Sequence, residues 1–127
     1  MIVVDGLEYD VRIKYNSLVR SFSLIEGPNK GTTLSYKTLR DVKGTGYSYE
    51  MQIEPNPNKP DDYDALYEVL SQPVDSHEIT VPYGQSTITY DAYVTGGQDT
   101  FKGRVGGYNR WTGMKVQFIY IQPQRNS

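Results

Sequence analysis

Apolar and polar residues alternate at period two in stretch after stretch of this chain, which restricts it to strands with one buried face. In YSYEMQIEP, Tyr47, Tyr49, Met51 and Ile53 alternate with Ser48, Glu50, Gln52 and Glu54. In STITYDAYV, Ile88, Tyr90, Ala92 and Val94 oppose Thr87, Thr89 and Asp91. Towards the C-terminus Met114, Val116, Phe118 and Tyr120 alternate with Lys115 and Gln117. There the second face does not stay polar, because Ile119 and Ile121 stand where charges are expected. Something has to cover them.

Turn chemistry divides the strands. Asp5-Gly6 is a tight-turn pair between short apolar runs. Val11, Ile13 and Tyr15 then alternate with Arg12 and Lys14, so this hairpin is expected to bury one face. Leu18, Phe22 and Leu24 share a side of the next strand, which ends at the turn formers of GPNKG. Residues 27–46 read as an extended loop or β-arm, with a strand near Leu34–Leu39. Ile79 and Val81 lead into a turn through Pro82, Tyr83 and Gly84, and residues 95–110 read as a Gly-rich loop or hairpin. A closing strand runs through WTGMKVQFIYIQPQ from Trp111 until Pro123 ends its ladder.

One helix interrupts the strands. In NPNKPDDYDALYEVLSQP, Tyr63, Leu66, Tyr67 and Leu70 follow the spacing of an amphipathic helix. Pro60 suits its first turn, Asp61, Asp62 and Asp64 favour its positive end, and Pro73 stops it. The fold class is therefore mainly β with one helix. It reads as an antiparallel β-sandwich or partly open β-barrel packed by a single α-helix, with residues 1–127 forming one domain.

Composition narrows the function classes. A formal charge of -2 argues against a nucleic-acid partner, and no apolar run approaches the roughly 20 residues of a membrane span. Met1–Asp10 lacks the pattern of a signal peptide. With no cysteine there is no disulfide framework and no thiolate metal site, which suits a reducing compartment.

Candidate chemistry is sparse. His77 is the only histidine and reads as a solvent-exposed residue without catalytic partners. The helix carboxylates are explained by end-charging. Gly44 and Gly46 lack the spacing of a dinucleotide loop, and GRVGGYNR lacks a P-loop lysine, so both are expected to be turns with positive φ. No catalytic, cofactor-binding or metal-binding residues are expected. What remains is an aromatic and basic cluster of Phe101, Lys102, Arg104, Tyr108, Arg110 and Trp111. Such residues make binding hot spots or stack on sugars and bases, or they fold back from a hairpin tip onto the core.

The order of pieces carries a resemblance: a VDG hairpin, a variable arm, YSYEMQIEP, the helix DDYDALYEVLSQPVDSHEITVP, then the Trp-led closing strand. This plan, from Met1 to about Pro123, resembles small tail-associated proteins of phages and prophages of Gram-positive bacteria, similar to tail-tube or distal-tail proteins. The resemblance implies a non-enzymatic virion component made in the bacterial cytoplasm and built into the tail. Its partners would be other tail proteins or copies of itself, with no nucleic acid and no membrane insertion. Lys30, Leu34 and Tyr36 on the arm would then make contacts, with Arg104, Tyr108, Arg110, Trp111, Ile119 and Ile121 elsewhere. The helix stripe offers an alternative cover for Ile119 and Ile121 inside one subunit. The alternative function is carbohydrate binding, with Tyr108, Trp111 and Tyr83 as stacking platforms.

Overall fold

The computed structural model describes residues 2–26, 31–32, 38–39 and 42–126. Its strands before the helix are β1 (Ile2–Val4), β2 (Leu7–Tyr9), β3 (Val11–Ile13), β4 (Val19–Glu26), β5 (Gly31–Thr32), β6 (Thr38–Leu39) and β7 (Val42–Pro55). After α1 (Pro60–Leu70) come β8 (His77–Tyr83), β9 (Ser86–Gln98), β10 (Phe101–Val105), β11 (Tyr108–Trp111), β12 (Met114–Tyr120) and β13 (Arg125–Asn126).

Antiparallel pairing takes the main sheet in the order β7-β12-β9-β8-β1-β2. Only Asp10 separates β2 from β3, and β3 pairs with the far edge of β7, so the sheet nearly closes on itself. Ile53 shows the geometry, since it stands between Ile13 on one side and Met114 on the other. Of the two architectures expected, the barrel is the one formed. Closure follows from turn chemistry. Asp5 at φ 52° and Gly6 at φ 81° fold β1 back on β2, and Gly84 at φ 57° folds β8 on β9.

The inward residues are those the period-two pattern marks. Tyr49, Met51, Ile53, Ile79, Val81, Ala92, Met114, Val116 and Phe118 are buried, with Ile2, Val4, Tyr9 and Val11 completing the ring. Tyr15 departs from the expected row. It lies in the turn after β3 and is 88% exposed, because the chain leaves the sheet to begin β4.

Helix α1 packs at the end of the barrel where β7 stops. Tyr63, Leu66 and Leu70 join the core, whereas Tyr67, expected in the same stripe, stays 37% exposed outside it. Pro60 begins the helix and Asp61 and Asp62 sit in its first turn, as the sequence reading requires, but Lys59 provides no side-chain cap. Asp62 instead accepts the Asp10 N–H at 2.9 Å, tying the helix to the strand switch that closes the barrel. The Tyr63 hydroxyl donates to Asp99 just beyond β9, at 2.9 Å. Burial first, then Asp99, raise the Tyr63 phenol far above its usual range.

Two expectations about the closing segments need correction. Trp111 belongs to the β10–β11 hairpin, and the last barrel strand starts only at Met114, because Thr112 and Gly113 break the ladder between them. Gly44 and Gly46 are not turns but residues of β7, and neither has positive φ. Their hydrogens make room: a side chain at Gly46 would collide with the Tyr120 ring, and one at Gly44 with the Arg125 carbonyl. By contrast Gly106 and Gly107, at φ 64° and 84°, form the expected hairpin turn. Residues 42–46 thus extend β7 out of the segment read as an arm. Of the rest of that segment, Gly31–Thr32 pairs with Thr38–Leu39. Lys30, Leu34 and Tyr36 lie outside the described residues.

Candidate interaction surface

At the end of the barrel away from α1, four tyrosines meet. Tyr49 donates to the Pro82 carbonyl at 2.7 Å, Tyr90 to the Tyr47 carbonyl at 2.9 Å, and Tyr83 to the Tyr47 hydroxyl at 3.1 Å. Tyr47 and Tyr83 also pack edge to face, with ring centroids 5.3 Å apart. Burial drives the Tyr90 phenol well above its ordinary range. For Tyr47 the order of causes is different. The bond from Tyr83, and next the Arg125 guanidinium, hold its phenol below the usual value, while that same bond raises Tyr83.

Over this tyrosine floor runs a groove of about 480 Å³ lined by Arg20, Phe22, Leu24, Tyr47, Tyr83 and Arg125, together with Ser21 and Thr45. Arg20 stacks over the Tyr83 ring with its guanidinium carbon 5.6 Å from the centroid. No carboxylate is among the lining residues. One wall is β4, paired with β7, and Arg125 enters from β13 on the opposite edge of β7. The Gln124 side chain accepts the Tyr47 N–H at 2.7 Å, and the Gln124 main-chain N–H donates to the Thr45 carbonyl at 2.9 Å. β4 itself carries Val19, Phe22 and Leu24 exposed at 57%, 68% and 43%. Leu18, expected on the same row, packs against the core instead.

The aromatic and basic hairpin lies at the other end of β9. Phe101 and Trp111 pack edge to face at 5.2 Å, and Trp111 reaches the core, while Arg110 covers one face of Tyr108 at 5.5 Å. Arg110 also donates to the Pro57 carbonyl at 3.2 Å, and Arg104 to Asn109 at 3.1 Å. The tip is therefore partly folded back, yet Phe101, Val105 and Tyr108 remain exposed. Tyr83 ends β8, opposite Ser86 at the start of β9 and away from this hairpin, so the three suggested stacking residues do not form one platform.

Ile119 and Ile121 occupy a third place. Ile119 pairs with Tyr93 on the outer face of the sheet, partly buried, and Ile121 is 45% exposed beside Ile88 and Pro123. The helix does not cover them, because its buried residues join the inner face with Phe118 and Val116.

His77 also departs from its expected exposure. It is buried at the start of β8, 3% exposed, with Nδ1 2.7 Å from Asp5 Oδ2. Glu78 N–H donates to the other Asp5 oxygen at 3.0 Å. Burial alone would raise the Asp5 carboxyl, but the His77 and Glu78 bonds outweigh it and hold it below the usual aspartate range. This pair staples the β1–β2 turn to β8. Among the described residues no three carboxylate or imidazole groups gather as metal ligands would, and no helix is long and apolar enough to cross a membrane.

Arg20, Phe22, Tyr47, Tyr83 and Arg125 were not singled out together in the sequence. The shared parity of Arg20, Phe22 and Leu24 was the available signal, whereas nothing local places Arg125 beside β7. The chain matches no protein-family model and no curated protein.

Proposed function

We propose that this protein is a non-enzymatic structural component that works through subunit contacts, of the kind found in phage or prophage tails. The observation that supports this reading best is the apolar exposure of β4: Phe22 and Leu24 stand exposed on the face that lines the groove, and Val19, opposite Glu50, on the other face. Exposed apolar residues grouped on one element are a common mark of an interface. The outward Tyr93, Ile119 and Ile121 give a further apolar area, on the other side of the sheet.

The tail assignment itself rests on the resemblance in order of elements. It is tested by native mass measurement and cross-linking of the purified chain, alone and mixed with the products of neighbouring genes. Complexes with itself or with tail proteins are expected. A chain that stays monomeric in every mixture contradicts the reading. The carbohydrate-binding alternative has less behind it, since one face of Tyr108 is taken by Arg110 and Trp111 is packed by Phe101.

A further inference from the structure

β4 ends the sheet. Among the described residues it pairs with β7 along one edge and with no strand along the other. Val19–Glu26 therefore presents a row of main-chain N–H and C=O groups to any strand able to lie beside it. β4 is also regular. Ile25 pairs with Gly44 and Glu26 with Val42, so the extra residue of the irregularity, Lys43, belongs to β7. The proline, lysine or bulge that commonly blunts an edge is missing from VRSFSLIE. Its one cation, Arg20, leans over Tyr83.

We infer that a second copy of this chain covers this edge, its β4 running antiparallel to the first about Ser23. The sequence is self-complementary in that register. Phe22 falls opposite the partner's Leu24, Ser21 opposite the partner's Ile25, and Arg20 opposite the partner's Glu26. Residues two apart share a face, so Arg20, Phe22 and Leu24 form one row along each strand. Opposite charges and apolar pairs placed directly across strands are favourable, and like charges there are unfavourable. Centring on Phe22 instead would set Arg20 against the partner's Leu24 and leave the charges unmatched. The charges therefore select Ser23. The contact uses the same patch on both copies, so it closes as a two-fold dimer and leaves the hairpin and the Ile119 face available.

This inference rests on the reading that the protein acts through contacts, and one experiment separates the two. Sedimentation velocity of the full chain over a concentration series should show a concentration-dependent dimer. Arg20→Glu alone, or Glu26→Arg alone, sets like charges opposite each other and should raise the dimer Kd about tenfold or more. An equimolar mixture of the two variants restores every opposite pair and should dimerise with near wild-type affinity. A wild-type chain that is monomeric throughout overturns the inference. So does a dimer whose Kd neither variant changes, or a mixture no tighter than its components. In those last two cases self-association survives and only this surface fails. A monomer that still binds a neighbouring tail protein likewise sinks the dimer while leaving the contact reading in place.

Discussion

In the barrel each long strand has a neighbour on both sides, whereas among the described residues β4 has one. β7, β12, β9 and β8 satisfy their main-chain groups across two ladders and turn Tyr49, Phe118, Ala92 and Ile79 inward. β4 follows the same alternation, yet Phe22 and Leu24, on the same face of the sheet as Tyr47, stand exposed over a groove. Hydrophobic patterning thus fixes which residues share a face, while the company of neighbouring strands decides whether that face becomes core or contact surface. The barrel is complete within one chain. The β4 edge is not.

The difference can be broken first in the barrel. Phe118→Ala removes a fully buried ring from the centre of β12 and should cost about 3–5 kcal/mol of unfolding free energy. Chemical denaturation measures it, and a loss below about 1 kcal/mol would mean that the inner face is far looser than described.

The Asp5–His77 staple comes next. His77→Ala leaves Asp5 without its ring partner at the buried start of β8, with an expected loss of about 1–3 kcal/mol. Asp5 also sets a pH dependence with a definite sign. Its carboxyl is held low in the folded state, so its contribution is complete above the ordinary aspartate value near about pH 4 and is lost as pH falls through the lower folded value. Stability measured across the acid range should fall less steeply for Asp5→Asn than for the natural chain. Equal slopes would show that the pair does not survive in solution.

The smallest effect on stability belongs to the edge. Phe22→Ser should change the unfolding free energy of the monomer by no more than about 0.5 kcal/mol, because the ring is largely in solvent. Its effect should appear instead as weaker self-association. If the variant unfolds much more easily at dilute concentration, Phe22 is holding the monomer together and the contrast with the barrel fails.

How much of this was legible in the sequence follows the same division. The inward rows of β7, β9 and β12, the Asp5-Gly6 turn and the helix at 60–70 could be read from local pattern, because each is set by neighbours a few residues away. The closure of the barrel could not. It depends on β2 and β3 pairing with strands on opposite sides through the single residue Asp10. Long-range geometry also hid His77, whose partner lies 72 positions away, and Gly44 and Gly46, whose small size serves Arg125 and Tyr120. The segment 95–110, read as a Gly-rich loop or hairpin, holds most of the β10–β11 hairpin, but residues 95–98 continue β9 and Trp111 was given to the wrong strand, since WTG reads as continuous with the alternation beyond it. Of the surface, Ile119 and Ile121 were legible as a second apolar row, whereas the groove needed four separate segments brought together.

Hydrogen–deuterium exchange of the full chain at low and high protein concentration tests the central contrast most directly. Amides of Val19–Glu26 should gain protection as concentration rises, while those of β8, β9 and β12 exchange at the same slow rate in both samples. If protection in β4 is independent of concentration, or rises no more than that of the barrel strands, the edge is not where copies of this protein meet.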